Sequence, residues 1–242
     1  MSESSRFLVR FRSFWRGSHT VPSTRWTAPS KWRPSLQTFW ILIFGLYLFG
    51  TGDALFVQAG IGNGPWTVFA QGVGRQLGLS LGAASLLVSA AVLLLWWPLK
   101  QRPGFGTIAN MLVISGSLQI GIDVIPAAHA LWLRALMVVS GIVMVGAASG
   151  LYLTCGLGPG PRDGWMTAIH FRTGIPVARV RLAIEVLVLS IGWLLGGVVG
   201  IGTVAFAFLI GRSVAIWLGV VGKFVQSSTK LTDLSDVAEF EG

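Results

Sequence analysis

Residues 45–120 reappear as residues 141–216, aligned without a gap at a constant offset of 96, and 20 of the 76 aligned pairs are identical. A composition this rich in Gly, Leu, Val and Ala would give about six identities by chance. The matches fall where the backbone is constrained. Gly60, Gly62, Gly64 and Pro65 return as Gly156, Gly158, Gly160 and Pro161, and Gly78 returns as Gly174. Trp97 returns as Trp193, and Gly104, Gly106 and Thr107 return as Gly200, Gly202 and Thr203. Each copy holds three apolar stretches, and an odd number of membrane crossings turns the second copy upside down relative to the first.

The apolar stretches are long because 53% of the 242 residues are hydrophobic and only 11% are charged. About 20 apolar residues cross the hydrocarbon of a bilayer. Six spans follow: Phe39 to Ala59, Leu81 to Leu99, Thr107 to Ile125, Ala130 to Leu153, Leu182 to Val199 and Thr203 to Val221. The expected fold is all-α and polytopic, with a basic cytoplasmic tail (1–37), two three-span modules (38–125 and 126–221) and a short cytoplasmic tail (222–242). The basic tail shows no apolar run or small-residue cleavage site of the kind a secretory signal carries. Both tails have compositions typical of disordered segments.

The net charge of +9 would suggest nucleic acid in a soluble protein, but the cations mark topology instead. Arg6, Arg10, Arg12, Arg16, Arg25, Lys31 and Arg33 precede the first span. Lys100 and Arg102 follow the second, Arg162, Arg172, Arg179 and Arg181 lie between the fourth and fifth, and Lys223 and Lys230 follow the sixth. All fall on one side if both termini do, and by the positive-inside rule that side is the cytoplasm. Trp15, Trp26 and Trp32 among the tail cations suit a segment resting on anionic inner-leaflet lipids. No nucleic-acid reading module accompanies them, so nucleic acid is not an expected partner. Lipid is the expected partner; an oligomer or protein partner is not identified.

Between the first and second span of each module lie about 20 residues too apolar for an ordinary loop. A short helix is expected from Pro65 and another from Pro161, since proline suits the first helical turn. Each would lie along the interface or dip into the membrane as a re-entrant element. The strings GIGNGP and GLGPGP lack the Lys-Ser/Thr of a phosphate loop. Their ordinary reading is tight packing of a helical hairpin, and the alternatives are an anion site or a gate formed by Gly60, Gly62, Gly64, Pro65, Gly156, Gly158, Gly160 and Pro161.

Chemistry enters where the copies differ. Trp66 and Thr67 become Arg162 and Asp163, Ser89 becomes Glu185, Gly116 becomes Arg212, Asp53 becomes Ser149 and Asn110 becomes Phe206. Ionisable groups inside spans are costly and mark functional positions by default. Glu185 stands one helical turn from Arg181, and the pair serves either to neutralise a charge within the bundle or to bind substrate or carry a coupling proton. Arg162 and Asp163 are expected at the cytoplasmic interface, as a solvated pair or as charge at a helix N-terminus, the alternative being a part in substrate binding or proton coupling. Arg212 has no assigned partner, with Asp53 and Glu185 as the alternatives. A single cysteine, Cys155, excludes an intramolecular disulfide, and His19, His129 and His170 have no metal-ligand spacing. No Ser/His or paired-acid constellation points to catalysis. Neither a metal, a cofactor nor an enzymatic activity is expected.

The second module, GLGPGPRDGWMTAIHFRTG from Gly156 to Gly174 followed by VRLAIE, GWLLGG and GIGT, resembles the YczE-like family of bacterial membrane proteins. The first module shares the resemblance through AGIGNGPW, GLSLG and PGFGT, so it covers residues 38–221. Thr67 stands where the family commonly has Asp, and Arg212 where it commonly has Pro. The resemblance implies a bacterial inner-membrane location and architecture but no substrate. The sequence thus leads to an inner-membrane protein with both termini cytoplasmic. Its expected role is secondary transport or export of an unknown small molecule, the alternative being a non-transporting accessory or regulatory protein. Reporter fusions at Ala128 and Gly242 test the topology: Ala128 is expected outside and Gly242 inside, and an external Gly242 overturns six spans.

Overall fold

The computed structural model describes residues 21–240 and is helical throughout its ordered elements. Eight helices follow in order: α1 (Leu36–Ala59), α2 (Pro65–Leu77), α3 (Leu81–Leu94), α4 (Phe105–Val124), α5 (Leu131–Thr154), α6 (Pro161–Thr173), α7 (Val177–Leu194) and α8 (Ile201–Phe240). Their ends obey ordinary capping chemistry. Ser35 and Ser80 accept the N–H groups of Thr38 and Ala83 at the starts of α1 and α3. Pro65 and Pro161 open α2 and α6, while Gly78 and Gly174 close them in the left-handed conformation. Helices α2 and α6 begin and end 96 residues apart, and so do the starts of α3 and α7 and of α4 and α8.

Helix α1 packs along α5 and α4, and α5 along α8. Each short helix crosses to the other half, α2 lying against α7 and α6 against α3. Close approach is achieved with small residues, as in other membrane bundles. A Cβ on Gly50 would stand 2.0 Å from Ser117 Oγ, and one on Gly146 would stand 2.0 Å from Ser213 Oγ. The outward faces remain apolar: Leu36, Trp40, Phe44 and Tyr47 form a stripe along α1, and Leu131, Trp132, Leu136, Val139 and Val143 form one along α5. Such faces contact lipid. Trp97 and Trp193, the repeated pair, are both largely exposed, as interfacial anchors are.

Among the described residues four helices are long and apolar enough to cross a bilayer by themselves: α1, α4, α5 and Ile201–Phe224 of α8. Helices α2 and α3 pass together as a fifth, bent by 109°. Two expected spans therefore differ. The stretch Leu81 to Leu99 is helical only to Leu94, because Trp96 turns inward, 2% exposed, and donates from Nε1 to the Pro161 carbonyl (2.9 Å). Fourteen residues give about 21 Å, short of about 30 Å of hydrocarbon. The expected fifth span, Leu182 to Val199, falls on α7 (Val177–Leu194), which starts earlier and so adds Arg179 and Arg181 to Glu185, and with three charges it is not among the helices apolar enough to cross. At the C-terminus, α8 continues as helix past Lys223, where the sequence suggests disorder.

Of the basic tail, residues 1–20 lie outside the described residues. The remainder is fixed to the bundle. Trp26 Nε1 donates to Thr154 Oγ1 (3.1 Å), Ala28 N–H to the Cys155 carbonyl (2.9 Å) and Phe105 N–H to the Lys31 carbonyl (2.8 Å).

The glycine turns are locked crosswise. Gly106 N–H donates to the Leu157 carbonyl (2.9 Å), and Gly202 N–H to the Ile61 carbonyl (2.8 Å), two bonds related by the offset of 96. At Gly62 (φ 116°) and Gly158 (φ 106°) the backbone is left-handed and lies against Gly200 and Gly104 respectively, a conformation and a closeness only glycine allows. Adding a methyl group at Gly104 would place it 2.2 Å from the Leu157 carbonyl oxygen, and at Gly200 2.4 Å from that of Ile61. Gly104→Ala and Gly200→Ala are each expected to cost on the order of 1–3 kcal/mol, read as a lowered melting temperature in detergent. Gly116→Ala, which meets nothing within 4 Å, should leave it unchanged or raised.

Candidate functional site

The crosswise lock delivers the first turns of both short helices to one place. A cavity of about 200 Å³ lies between the halves, lined by Gly64, Pro65, Trp66 and Thr67 from the start of α2 and by Gly160, Arg162 and Asp163 from the start of α6. Both helices have glycine N-caps with no side-chain hydrogen bond. The N–H groups of Trp66, Thr67, Arg162 and Asp163 therefore lack an intrahelical acceptor, as first-turn donors do. Two helix N-termini, each carrying a partial positive charge, converge on the cavity.

Five of the six unequal pairs of the repeat line this cavity with both members: Asp53 with Ser149, Trp66 with Arg162, Thr67 with Asp163, Ser89 with Glu185, and Asn110 with Phe206. Phe49 with Val145 and Ile114 with Ile210 do the same. A position and its counterpart can face one space only if that space lies where the two copies meet. Trp66 and Arg162 touch directly, the guanidinium lying 5.1 Å from the ring centroid. A cation–π contact of this kind contributes roughly 1 kcal/mol.

The charged groups are arranged as follows. Arg181 Nε donates to Glu185 Oε1 at 2.8 Å along α7, the i, i+4 pair anticipated from the sequence. Asp163 Oδ2 accepts from the Tyr152 hydroxyl at 3.0 Å and sits in the first turn of α6, where negative charge is favoured. Asp53, 5% exposed, receives the Thr67 hydroxyl at 3.5 Å, the long limit of a hydrogen bond. Arg162 interacts electrostatically with Asp53 and Asp163, yet among the described residues no carboxylate oxygen comes within 4.0 Å of it and its guanidinium makes no hydrogen bond. Its donors face the cavity.

The structure thus brings Glu185, Arg181, Arg162, Asp163 and Asp53 to one place. Arg162 and Asp163 are not a solvated pair at the cytoplasmic surface, because the crossing of α6 onto α3 carries its first turn inward. Arg212 is exposed and away from the cavity, and reaches neither Asp53 nor Glu185. On α8 the cavity face is Phe206, Ile210 and Val214, at helical spacing, and Arg212 projects from another face. Among the glycine turns, Gly64, Pro65 and Gly160 border the cavity, and Pro161 holds Trp96. Gly62 and Gly158 form the lock, and Gly60 and Gly156 are left-handed residues just past the ends of α1 and α5. Tyr152, unflagged by the sequence, carries the hydroxyl bonded to the Asp163 carboxylate; its counterpart Phe56 lacks that oxygen, and the comparison of copies would have found it. Among the described residues no His, Cys, Asp and Glu group could hold a metal.

Cys155 lies just past α5, fully buried, and burial pushes its thiol up to about 12. Thiolate, the reactive form, is then scarce at neutral pH. Folded wild-type protein is expected to resist a maleimide at neutral pH and to react fully once denatured in SDS, as mass spectrometry would report. Rapid labelling of the folded protein would contradict this packing.

Comparison with other proteins agrees with the membrane-bundle architecture. The model of a family of unknown function, DUF6198, matches residues 36–218, from the first turn of α1 into α8. The chain is 43% identical over 203 residues to an uncharacterized protein of Haemophilus influenzae, covering 84% of this chain and 93% of that one. It is 31% identical over 172 residues to the uncharacterized membrane protein YczE of Bacillus subtilis, covering 71% and 77%. It is 22% identical over 193 residues to YyaS of the same organism, covering 77% and 94%. No solved structure gives a significant match. Matched along most of its length, with the glycine turns and the cavity inside the matched region, the chain is a multi-pass membrane protein that belongs to the DUF6198 family.

Proposed function

We propose that this protein is a secondary transporter or exporter of a small molecule in the bacterial inner membrane, built from two three-span modules of opposite orientation. The observation carrying this reading is the cavity lined by both members of equivalent pairs, with the N-termini of two interrupted helices directed at it. That arrangement supports a central binding site approached alternately from either side, as inverted repeats permit. On this reading α2 with α3 and α6 with α7 are the broken spans that complete six crossings, and α2 and α6 are re-entrant rather than interfacial. Backbone interrupted at membrane depth is tolerated where protein satisfies it, which the crosswise bonds of Ile61 and Leu157 supply. Both termini then lie in the cytoplasm, and the turns at Gly60 to Pro65 and Gly156 to Pro161 border the two gates.

An accessory or regulatory role through the basic tail is the second reading, favoured by the fixing of Trp26, Ala28 and Lys31 to the bundle. Deleting residues 1–20 spares these contacts: a transporter core should keep its activity, whereas a docking protein should lose its effect in cells while inserting normally.

Access to the cavity tests transport without a known substrate. Ser89→Cys and Asn110→Cys are expected to react with a membrane-impermeant thiosulfonate in right-side-out vesicles and again in inside-out vesicles, with buried Cys155 as the silent background. Reaction from one face only, or from neither, would sink the transport reading.

A further inference from the structure

The charges lining the cavity do not all find partners of their own, and the remainder identifies a ligand class. Glu185 is matched by Arg181 at 2.8 Å. Asp163 is held by the Tyr152 hydroxyl and by the N-terminus of its own helix. That leaves Arg162 and Asp53. Arg162 presents a guanidinium fork with no acceptor in hydrogen-bond range, over the face of Trp66. Asp53 is its long-range counter-charge from α1, buried and held only by a 3.5 Å contact from Thr67. Around both, the first-turn N–H groups of α2 and α6 add further donors without acceptors. A partly buried guanidinium without hydrogen bonds to protein is poorly compensated, and a planar oxyanion is the partner its fork geometry matches.

We propose that the cavity takes an organic anion whose carboxylate pairs with Arg162 in place of Asp53, and that Asp53 then takes up one proton from solvent. This rests on the transport reading and names its substrate class and coupling ion. The step is balanced: one anion and one proton enter together, so the charge of the occupied site equals that of the empty one. Asp53 is the residue to exchange the proton because it is the carboxylate left without a close basic partner or a second donor. The titratable and charged groups facing it are Arg162 and Asp163 on α6, Tyr152 on α5, and Arg181 and Glu185 on α7. Helices α2, α3 and α4 contribute only neutral groups, among them Thr67, Ser89 and Asn110. The aromatic rings of Trp66, Tyr152, Phe49 and Phe206 favour an anion with an apolar body.

Three probes of nearly one shape separate the charge classes: 3-phenylpropionate (anion), phenethylamine (cation) and phenylalanine (zwitterion). Binding is followed by calorimetry on the full chain in detergent. Wild-type protein is expected to bind 3-phenylpropionate, with affinity rising up to tenfold for each unit the pH falls between about 8 and about 6, the slope of one linked proton. In Asp53→Asn the anion should bind at least as tightly with no pH slope, since the competing charge is gone. In Arg162→Gln, checked for folding by its melting temperature, affinity should fall by roughly tenfold or more. Binding of phenethylamine or phenylalanine in preference to the anion overturns the proposal, as does absence of anion binding at about 10 mM. An unchanged pH slope in Asp53→Asn overturns the proton exchange. Cysteine access from both faces is unaffected by any of these outcomes, so failure here is distinguishable from failure of the transport reading.

Discussion

The carbonyls of Ile61 and Leu157 accept hydrogen bonds from Gly202 and Gly106, and these two equivalent contacts hold the turns from which α2 and α6 bring Trp66, Thr67, Arg162 and Asp163 to the cavity. Each joins the turn before a short helix to the start of a long helix in the opposite copy. The bonds are possible because glycine occupies both sides of the contact, so that backbone meets backbone. Once the turns are held this way, α2 must run against α7 and α6 against α3. Their first turns then meet across the centre, and Trp66 comes to rest under Arg162. Membrane interiors offer no water to satisfy the donors of a broken helix, so an interruption of this kind needs protein partners at the break. The lock supplies part of that requirement and leaves the remaining donors facing the cavity.

The two halves answer a shared backbone demand with unequal side chains. Where α6 must accept a neighbour, Gly164 leaves room for Trp96, whose counterpart is Gly192; where α2 must, Gly192 abuts Val68 and Phe69 instead. Knob and hole have exchanged sides. The same inequality is chemical within the cavity, where Arg162, Asp163 and Glu185 of the second copy face Trp66, Thr67 and Ser89 of the first. A symmetric cavity would bring two arginines, or two aspartates, onto a common axis at a repulsive cost. Divergence of the copies puts one cation against one aromatic face, and places Asp53 rather than its counterpart Ser149 within electrostatic reach of the guanidinium.

Much of the site was legible as differences between aligned positions. Asp53, Arg162, Asp163 and Glu185 stand out against Ser149, Trp66, Thr67 and Ser89 at the matching positions, because a membrane chain keeps ionisable groups only where they are compensated. Their gathering was not legible. Arg162 and Asp163 follow a loop on the basic side, and sequence distance suggests solvent; only the inward crossing of α6 takes them into the cavity. Arg212 met the same sequence criterion and lies on an outward face, since the register of α8 points Phe206, Ile210 and Val214 inward. Hydropathy likewise placed α1, α4 and α5 well but extended the second span to Leu99, where the inward turn of Trp96 ends the helix at Leu94.

The sequence by itself determined a helical membrane chain, the glycine turns that interrupt it and the positions 96 residues apart at which its residues recur or differ. Those are properties of composition and periodicity, and they survive without knowledge of any contact. Tertiary structure decided which copy each short helix packs against, which charges share a cavity, and that Arg162 stands there without a hydrogen-bonded partner. These depend on approaches between residues about 50 to 140 positions apart, where the room left by a missing Cβ decides the outcome and no local pattern records it.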